Sequence, residues 1–318
     1  MANARPRDLP ELRAELLDHY QTPVVIDWWS RRPARPALEV IDRGQVRAAL
    51  NPSGDQRRIN EIDRLKDADL YFVSADMTQL AITAAESLPS FDLSASDAPS
   101  EAGLIFFEEP IATDVNTKAG QGETVYISGA SWNLGSTPRW GVALWLSFYI
   151  DLHLTLDREV AEGRITKAEA ARQKGSQPRF SYTMDAAHMV GRGIPVANDD
   201  SVLNSWGRTI LSAWLIMAQP LAEISTVTAD RSAQKRIRRT GHAPKPVRLV
   251  ELRRPKATGS NTSGTEREYH HQWIVRGHWR QQWFPARQVH RPVWIGPHIK
   301  GPEGAPLIGG EKVNVLKR

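Results

Sequence analysis

Apolar positions near the start recur at helical spacing: Leu9, Leu12, Leu16 and Leu17 share one side of a helix predicted from Leu9 to Tyr20, with Asp8 and Glu11 placed as a capping box. The next apolar run, Thr22-Pro-Val-Val-Ile-Asp-Trp-Trp29, is rich in β-branched and aromatic residues and reads as a strand. Pro33 and Pro36 among Arg31, Arg32 and Arg35 predict a loop, and Asn51-Pro-Ser-Gly54 a turn, ahead of a polar helix near Arg57 to Lys66. Asp69 to Ser74 is a short strand, Asp76 with Gln79 caps a helix lasting until Pro89, and Ser90 to Glu101 is a surface loop. Strands follow at Gly103 to Glu109, Thr124 to Ser128 and Gly141 to Ile150, the last so continuously apolar that both faces should be buried. A charged helix is expected from Asp157 to Lys174, ended by Gln177-Pro-Arg179. Asp199, Asp200 or Ser201 then caps an apolar helix running to Gln219. Its residues Leu203, Trp206, Ile210, Trp214 and Met217 lie along one face, widened by Leu211 and Leu215, so it should be buried nearly all round.

After Ala229 the pattern changes. Arg231-Ser-Ala-Gln-Lys-Arg-Ile-Arg-Arg239 is a basic tract, helical or disordered, closed by Gly241, Pro244 and Pro246. Val247 to Arg254, Tyr269 to Gln281, Pro292 to Ile295 and Lys312 to Leu316 read as strands, with a flexible loop at Ala257 to Gly264. The whole predicts an α+β protein: an acidic mixed α/β domain over residues 1–228 holding the buried helix, then a basic, mainly antiparallel β module over 229–318 with a linker or helix at 231–240. No internal repeat is visible.

Composition narrows the picture. With 318 residues, 24% charged and 41% hydrophobic, the chain should fold as one large domain or two ordinary ones. The absence of Cys excludes disulfides, iron–sulfur clusters, thiolate zinc sites and a cysteine nucleophile. The first eight residues lack the apolar core of a secretory signal and no apolar run is long enough for a bilayer, so a cytoplasmic protein without a membrane partner is expected. The net charge of +5 conceals an opposition: residues 231–318 hold 19 Lys and Arg against five Asp and Glu, leaving 22 basic and 31 acidic residues in 1–230. A segment so basic suits a nucleic acid first, while neutralisation by an acidic surface of the same chain and an anionic membrane are the lesser alternatives.

Candidate chemistry gathers in Tyr269-His-His-Gln-Trp-Ile-Val-Arg-Gly-His-Trp-Arg-Gln281. As one strand it would place Tyr269, His271, Trp273, Val275 and Trp279 on a core face, and His270, Gln272, Arg276, His278 and Arg280 on a working face. Histidine and arginine there could contact phosphates. They could also cleave RNA without a metal, with His270 and His278 transferring protons and Arg276 and Arg280 stabilising the charge on phosphorus, or simply form a solvated face. Metal binding is not expected, because adjacent histidines point oppositely and few carboxylates are near. No cofactor is implied. Lys235, Arg236, Arg238 and Arg239 are candidate nucleic-acid contacts, and of the four Trp in this segment Trp283, beside Phe284-Pro285, is the best placed for stacking on a base.

The string Trp273 to Arg280, with Arg291-Pro-Val-Trp-Ile295 and Lys300-Gly-Pro302, resembles a C-terminal module of uncharacterised proteins from high-GC Gram-positive bacteria and their mobile elements. Leu104-Ile-Phe-Phe-Glu-Glu-Pro110 and Trp214-Leu-Ile-Met-Ala-Gln-Pro220 resemble upstream landmarks of the same proteins. The resemblance implies no activity. The sequence alone therefore leads to a nucleic-acid-binding protein, RNA preferred over duplex DNA because aromatic and basic residues interleave in strands and no helix-turn-helix or zinc finger is visible. A metal-independent ribonuclease is a further possibility. The alternative is a regulatory or structural protein whose basic module binds an acidic protein surface, and the oligomeric state is left open.

Overall fold

A computed structural model describes residues 4–32, 39–42, 45–48, 54–116, 123–137, 141–194, 206–253 and 272–300. It is an α+β protein that divides into two compact units, Met1–Leu252 and Arg253–Arg318.

The larger unit opens with helix α1 (Leu9–His19), which follows a single 3-10 turn. Asp8 does not cap α1 as the sequence predicts: it accepts hydrogen bonds from the Arg5 backbone N–H and guanidinium, and the turn runs straight into the helix. Thr22 to Trp29, expected as a strand, is instead helix α2 (Pro23–Ser30). Proline at its first position fixes a helical φ, and within it only Trp29 is buried, against Tyr20 and Tyr182, so one anchoring ring outweighs the β-branched residues. Strands β1 (Glu39–Asp42) and β2 (Gln45–Ala48) form an antiparallel pair.

Helix α3 (Gly54–Asp67), strand β3 (Asp69–Val73), helix α4 (Ala75–Glu86) and strands β4 (Ala102–Phe107), β5 (Ala112–Asn116), β6 (Glu123–Thr137) and β7 (Gly141–Asp151) follow. The first turn of α4 is satisfied from a distance rather than by an Asp76 cap: Glu108 accepts the Ala75 N–H at 2.8 Å, and Gln79 donates to Glu109 at 2.6 Å. The single helix predicted over 157–174 is two, α5 (Leu152–Ala161) and α6 (Lys167–Ser176). Gly163 turns the chain at φ +73° between them, and a reciprocal Thr166–Glu169 capping box starts the second. Strand β8 (Phe180–Met189), helix α7 (Arg208–Met217), strand β9 (Ala222–Val227), helix α8 (Arg231–Arg239) and strand β10 (Val247–Leu252) complete the unit.

The mixed sheet has the order β8-β7-β6-β4-β3-β10-β9, with β5 also paired to β6. β3 runs parallel to both β4 and β10, and the other pairings are antiparallel. Alternation along β3 and β4 separates two cores. Leu70, Phe72, Leu104 and Phe106 pack with Leu16, Tyr20, Trp29 and Leu65 of the first three helices and their flanks. On the opposite face Tyr71 meets Trp132, and Trp132 meets Trp214 of α7 at 4.8 Å. All ten residues of α7 are buried, as its all-round apolar pattern predicts.

Residues 229–252, assigned by composition to the basic module, belong to the larger unit, because β10 lies between β3 and β9 in the main sheet. In the smaller unit β11 (Trp273–Val275) pairs with β14 (His298–Lys300), and β12 (His278–Phe284) with β13 (Val289–Ile295), all antiparallel. The single strand expected over 269–281 is therefore interrupted at Arg276-Gly277. Gly277 lies against the Trp294 ring, where a Cβ would come within 2.5 Å of it. The predicted strand at 312–316, the loop at 257–264 and the cap residues 199–201 lie outside the described residues.

Candidate nucleic-acid interface

The basic tract is a helix because Asp230 caps it, accepting the Ala233 N–H at 2.8 Å, and because Ala233 and Ile237, four residues apart, are buried together. Its charged residues fall on two sides. Arg236, itself exposed, reaches toward α1 and binds Glu11 in a two-point ion pair at 2.5 and 2.9 Å. Downstream, His242 meets Asp18 at 2.8 Å, Lys245 donates to the Asp67 carbonyl at 2.8 Å, and Arg248 meets Asp69 at 3.0 Å. Arg231, Lys235, Arg238 and Arg239 are exposed on the outer side, and Arg238 donates to the neutral Gln234 of its own helix. No acid among the described residues pairs with these four. The row spans about 12 Å at a helical rise of 1.5 Å per residue.

The β12–β13 ladder sorts the other candidates by register. His278, Arg280, Gln282 and Phe284 stand opposite Ile295, Val293, Arg291 and Val289 on one face. Trp279, Gln281 and Trp283 stand opposite Trp294, Pro292 and His290 on the other. Trp294 is buried and meets Trp279 edge-on at 5.3 Å, whereas Trp283 is 43% exposed and leans on the His290 ring at 4.9 Å. His278 and Arg280 are exposed and two residues apart, roughly 6.5–7 Å along a strand. His278 Nδ1 donates to the Arg276 carbonyl at 3.1 Å. Arg276 sits in the break between strands, exposed. His270 lies outside the described residues. Within the described ladder no second histidine or carboxylate shares the His278 face, so that face offers cation and hydrogen-bond contacts on an open surface.

Sequence reasoning passed over a buried polar cluster beneath α3. Glu61 accepts from the hydroxyls of Ser131 at 2.8 Å and Ser147 at 2.5 Å, from Tyr149, and from Arg64 at 2.8 Å; Arg64 also donates to Asn133 at 2.8 Å. The Tyr149 hydroxyl is pushed well above its usual range by burial and by the Glu61 charge. Arg57 completes the row, 3.6 Å from Asp185. The signals available in the sequence were the i, i+3 pair Glu61 and Arg64 and the isolated Ser147 in an apolar strand. Asp185 and His188, neighbours along the chain, act apart: His188 Nε2 donates to the Arg192 carbonyl at 3.2 Å. No group of three metal-ligating side chains occurs among the described residues, and none of their helices is long and apolar enough to cross a membrane. No protein-family model, curated protein or solved structure matches this chain.

Proposed function

We propose that this protein binds nucleic acid, with single-stranded or structured RNA preferred over duplex DNA. The observation that carries this reading is the outer row of α8, where Arg231, Lys235, Arg238 and Arg239 are exposed without an acidic partner among the described residues. Cations so placed gain by displacing counterions from a phosphate backbone, and a row of about 12 Å faces several phosphates. The exposed Trp283 and Phe284 supply faces on which unstacked bases can rest, which favours RNA loops over a closed duplex. His278, Arg276 and Arg280 serve as phosphate contacts; a cleaving role for them, with His270, is the narrower version of the same reading.

A second reading has its own support. Arg236, His242, Lys245 and Arg248 are all engaged by the acidic part of the chain, as expected if the basic segment serves an internal or acidic protein surface. Binding of a fluorescent single-stranded RNA and of duplex DNA across a salt series separates the two. Tight RNA binding should weaken steeply with salt, and the triple change Lys235→Ala, Arg238→Ala and Arg239→Ala should flatten the slope by up to ~0.7 for each phosphate no longer neutralised. Arg236→Ala should leave the slope nearly unchanged, because that side chain is held by Glu11. Absence of binding at low salt would discard the first reading in favour of the second.

A further inference from the structure

The main sheet ends on one side at β9, which pairs with β10 and with no other described strand. The direction of its backbone groups follows from its neighbours. The Val250 carbonyl of β10 accepts the Ser74 N–H, just past β3, at 3.0 Å, so Val250 turns its N–H and C=O toward β3 and away from β9. Ile224 stands opposite Val250, and in an antiparallel ladder the two members of such a pair point their backbone groups away from each other. The N–H and C=O of Ile224, and of Thr226 two residues on, therefore face outward, where no described residue bonds to them. Glu223 to Thr226 are all exposed, and Ile224 is an apolar side chain 48% exposed.

Sheet edges are ordinarily blunted by proline, lysine or a bulge. β9 has none of these: Ala222-Glu-Ile-Ser-Thr-Val227 contains neither residue, and its register with β10 is continuous. At the other end of the sheet β8 meets β7 through a register shift at Phe148 and Tyr149. The open strand also suits a copy of itself. With a two-fold axis at Ile224, that residue faces its own copy in a hydrogen-bonded pair, Thr226 faces the second copy's Ala222, and Glu223 faces the second copy's Ser225. No like charges are opposed, the two exposed isoleucines cover each other, and the outward N–H and C=O of Ile224 are exchanged between copies. An axis at Ser225 would instead set Ile224 against Thr226 and Glu223 against Val227.

We propose that two copies of this chain associate edge to edge through β9, antiparallel and centred on Ile224, so that their main sheets join into one. Main-chain hydrogen bonds supply the attraction, and the Ile224 pair fixes the register.

Sedimentation of the full chain tests this: monomer should pass to dimer as the concentration rises toward about 200 µM. Ile224→Lys sets like charges opposite each other at a position already exposed in the single chain, so it should keep the parent melting temperature and weaken the dimer roughly tenfold or more. The chain has no Cys, so single cysteines report the register without ambiguity. Ile224→Cys should form a disulfide-linked dimer under mild oxidation, because the Cα atoms of an opposed hydrogen-bonded pair stand about 5.5 Å apart, within the range a disulfide spans. Ser225→Cys, on the opposite face and two positions out of register with its own copy, should not. A chain that stays monomeric throughout, a dimer indifferent to Ile224→Lys, or cross-linking at Ser225→Cys but not at Ile224→Cys overturns the proposal.

Discussion

Single residues fix this fold through indole rings lying flat on backbone. A Cβ on Gly103 would stand 2.1 Å from the Trp132 ring, which is fully buried between Tyr71 and Trp214 and has nowhere to move. Gly103→Ala should therefore cost at least the ~1–3 kcal/mol typical of overpacking, and Trp214→Ala about 3–5 kcal/mol, both read from urea unfolding midpoints. A Trp214→Ala protein within about 1 kcal/mol of the parent would contradict this packing. The buried Glu61 and Arg64 pair has a different signature. Glu61→Leu strands a guanidinium among Ser131, Ser147 and Asn133 and should destabilise by about 3–5 kcal/mol, whereas the double change Glu61→Leu with Arg64→Leu should recover a substantial part of that loss. A double variant as unstable as the sum of the singles would mean that the two charges are not coupled.

At the scale of elements, the placement of β10 matters most. It lies between β3 and β9, so β9 reaches the sheet only through it. A chain ending at Leu252 should unfold cooperatively with near-parent stability for the larger unit, while a chain ending at 228 should lose β9 from the sheet and melt broadly or aggregate. Equal behaviour of the two truncations in circular-dichroism melts would show that β10 is dispensable. Helix α2 follows a related logic: the β-branched residues at 24–26 favour a strand, but Val24 and Ile26 are exposed and the element is held by Pro23 and Trp29. Local propensity is weak where one buried ring decides the packing.

Across the whole molecule, pH should act first through histidine. Burial holds His153 and His188 below the usual imidazole range, in His153 with help from the nearby Arg179 charge, and in His188 against a hydrogen bond to the Arg192 carbonyl that pulls the other way. As pH falls below about 6.5 the unfolded chain takes up protons that the folded chain resists, so stability should decline from there until the folded histidines also protonate. Glu159, bonded to Arg164, and Asp230, bonded to the Ala233 N–H, are shifted downward and should contribute a separate loss only below about pH 4. Melting temperatures between pH 7.5 and 5 should fall less steeply for His153→Gln and His188→Gln. A flat profile in the parent would remove histidine burial from the account.

The sequence by itself determined the elements whose apolar pattern was clear: α1, the polar α3, the twice-buried β7 and the all-buried α7, with β3 and β4 as short strands. In each, the side chains alone state how many faces must leave water. It also gave the distribution of positive charge, since charge needs no fold to be counted, and it singled out Trp283, whose ring is exposed. Tertiary structure decided what depends on distant partners. It turned Thr22 to Trp29 into a helix, set the end of the larger unit at Leu252, and paired Arg236 with Glu11 while leaving Lys235 and Arg239 without an acidic partner among the described residues. It also brought Glu61 to Ser131, Ser147 and Tyr149, seventy or more positions away. The i, i+3 pair and the lone serine are all that the sequence shows of such a cluster, because what makes it one is the removal of water by segments remote in the chain.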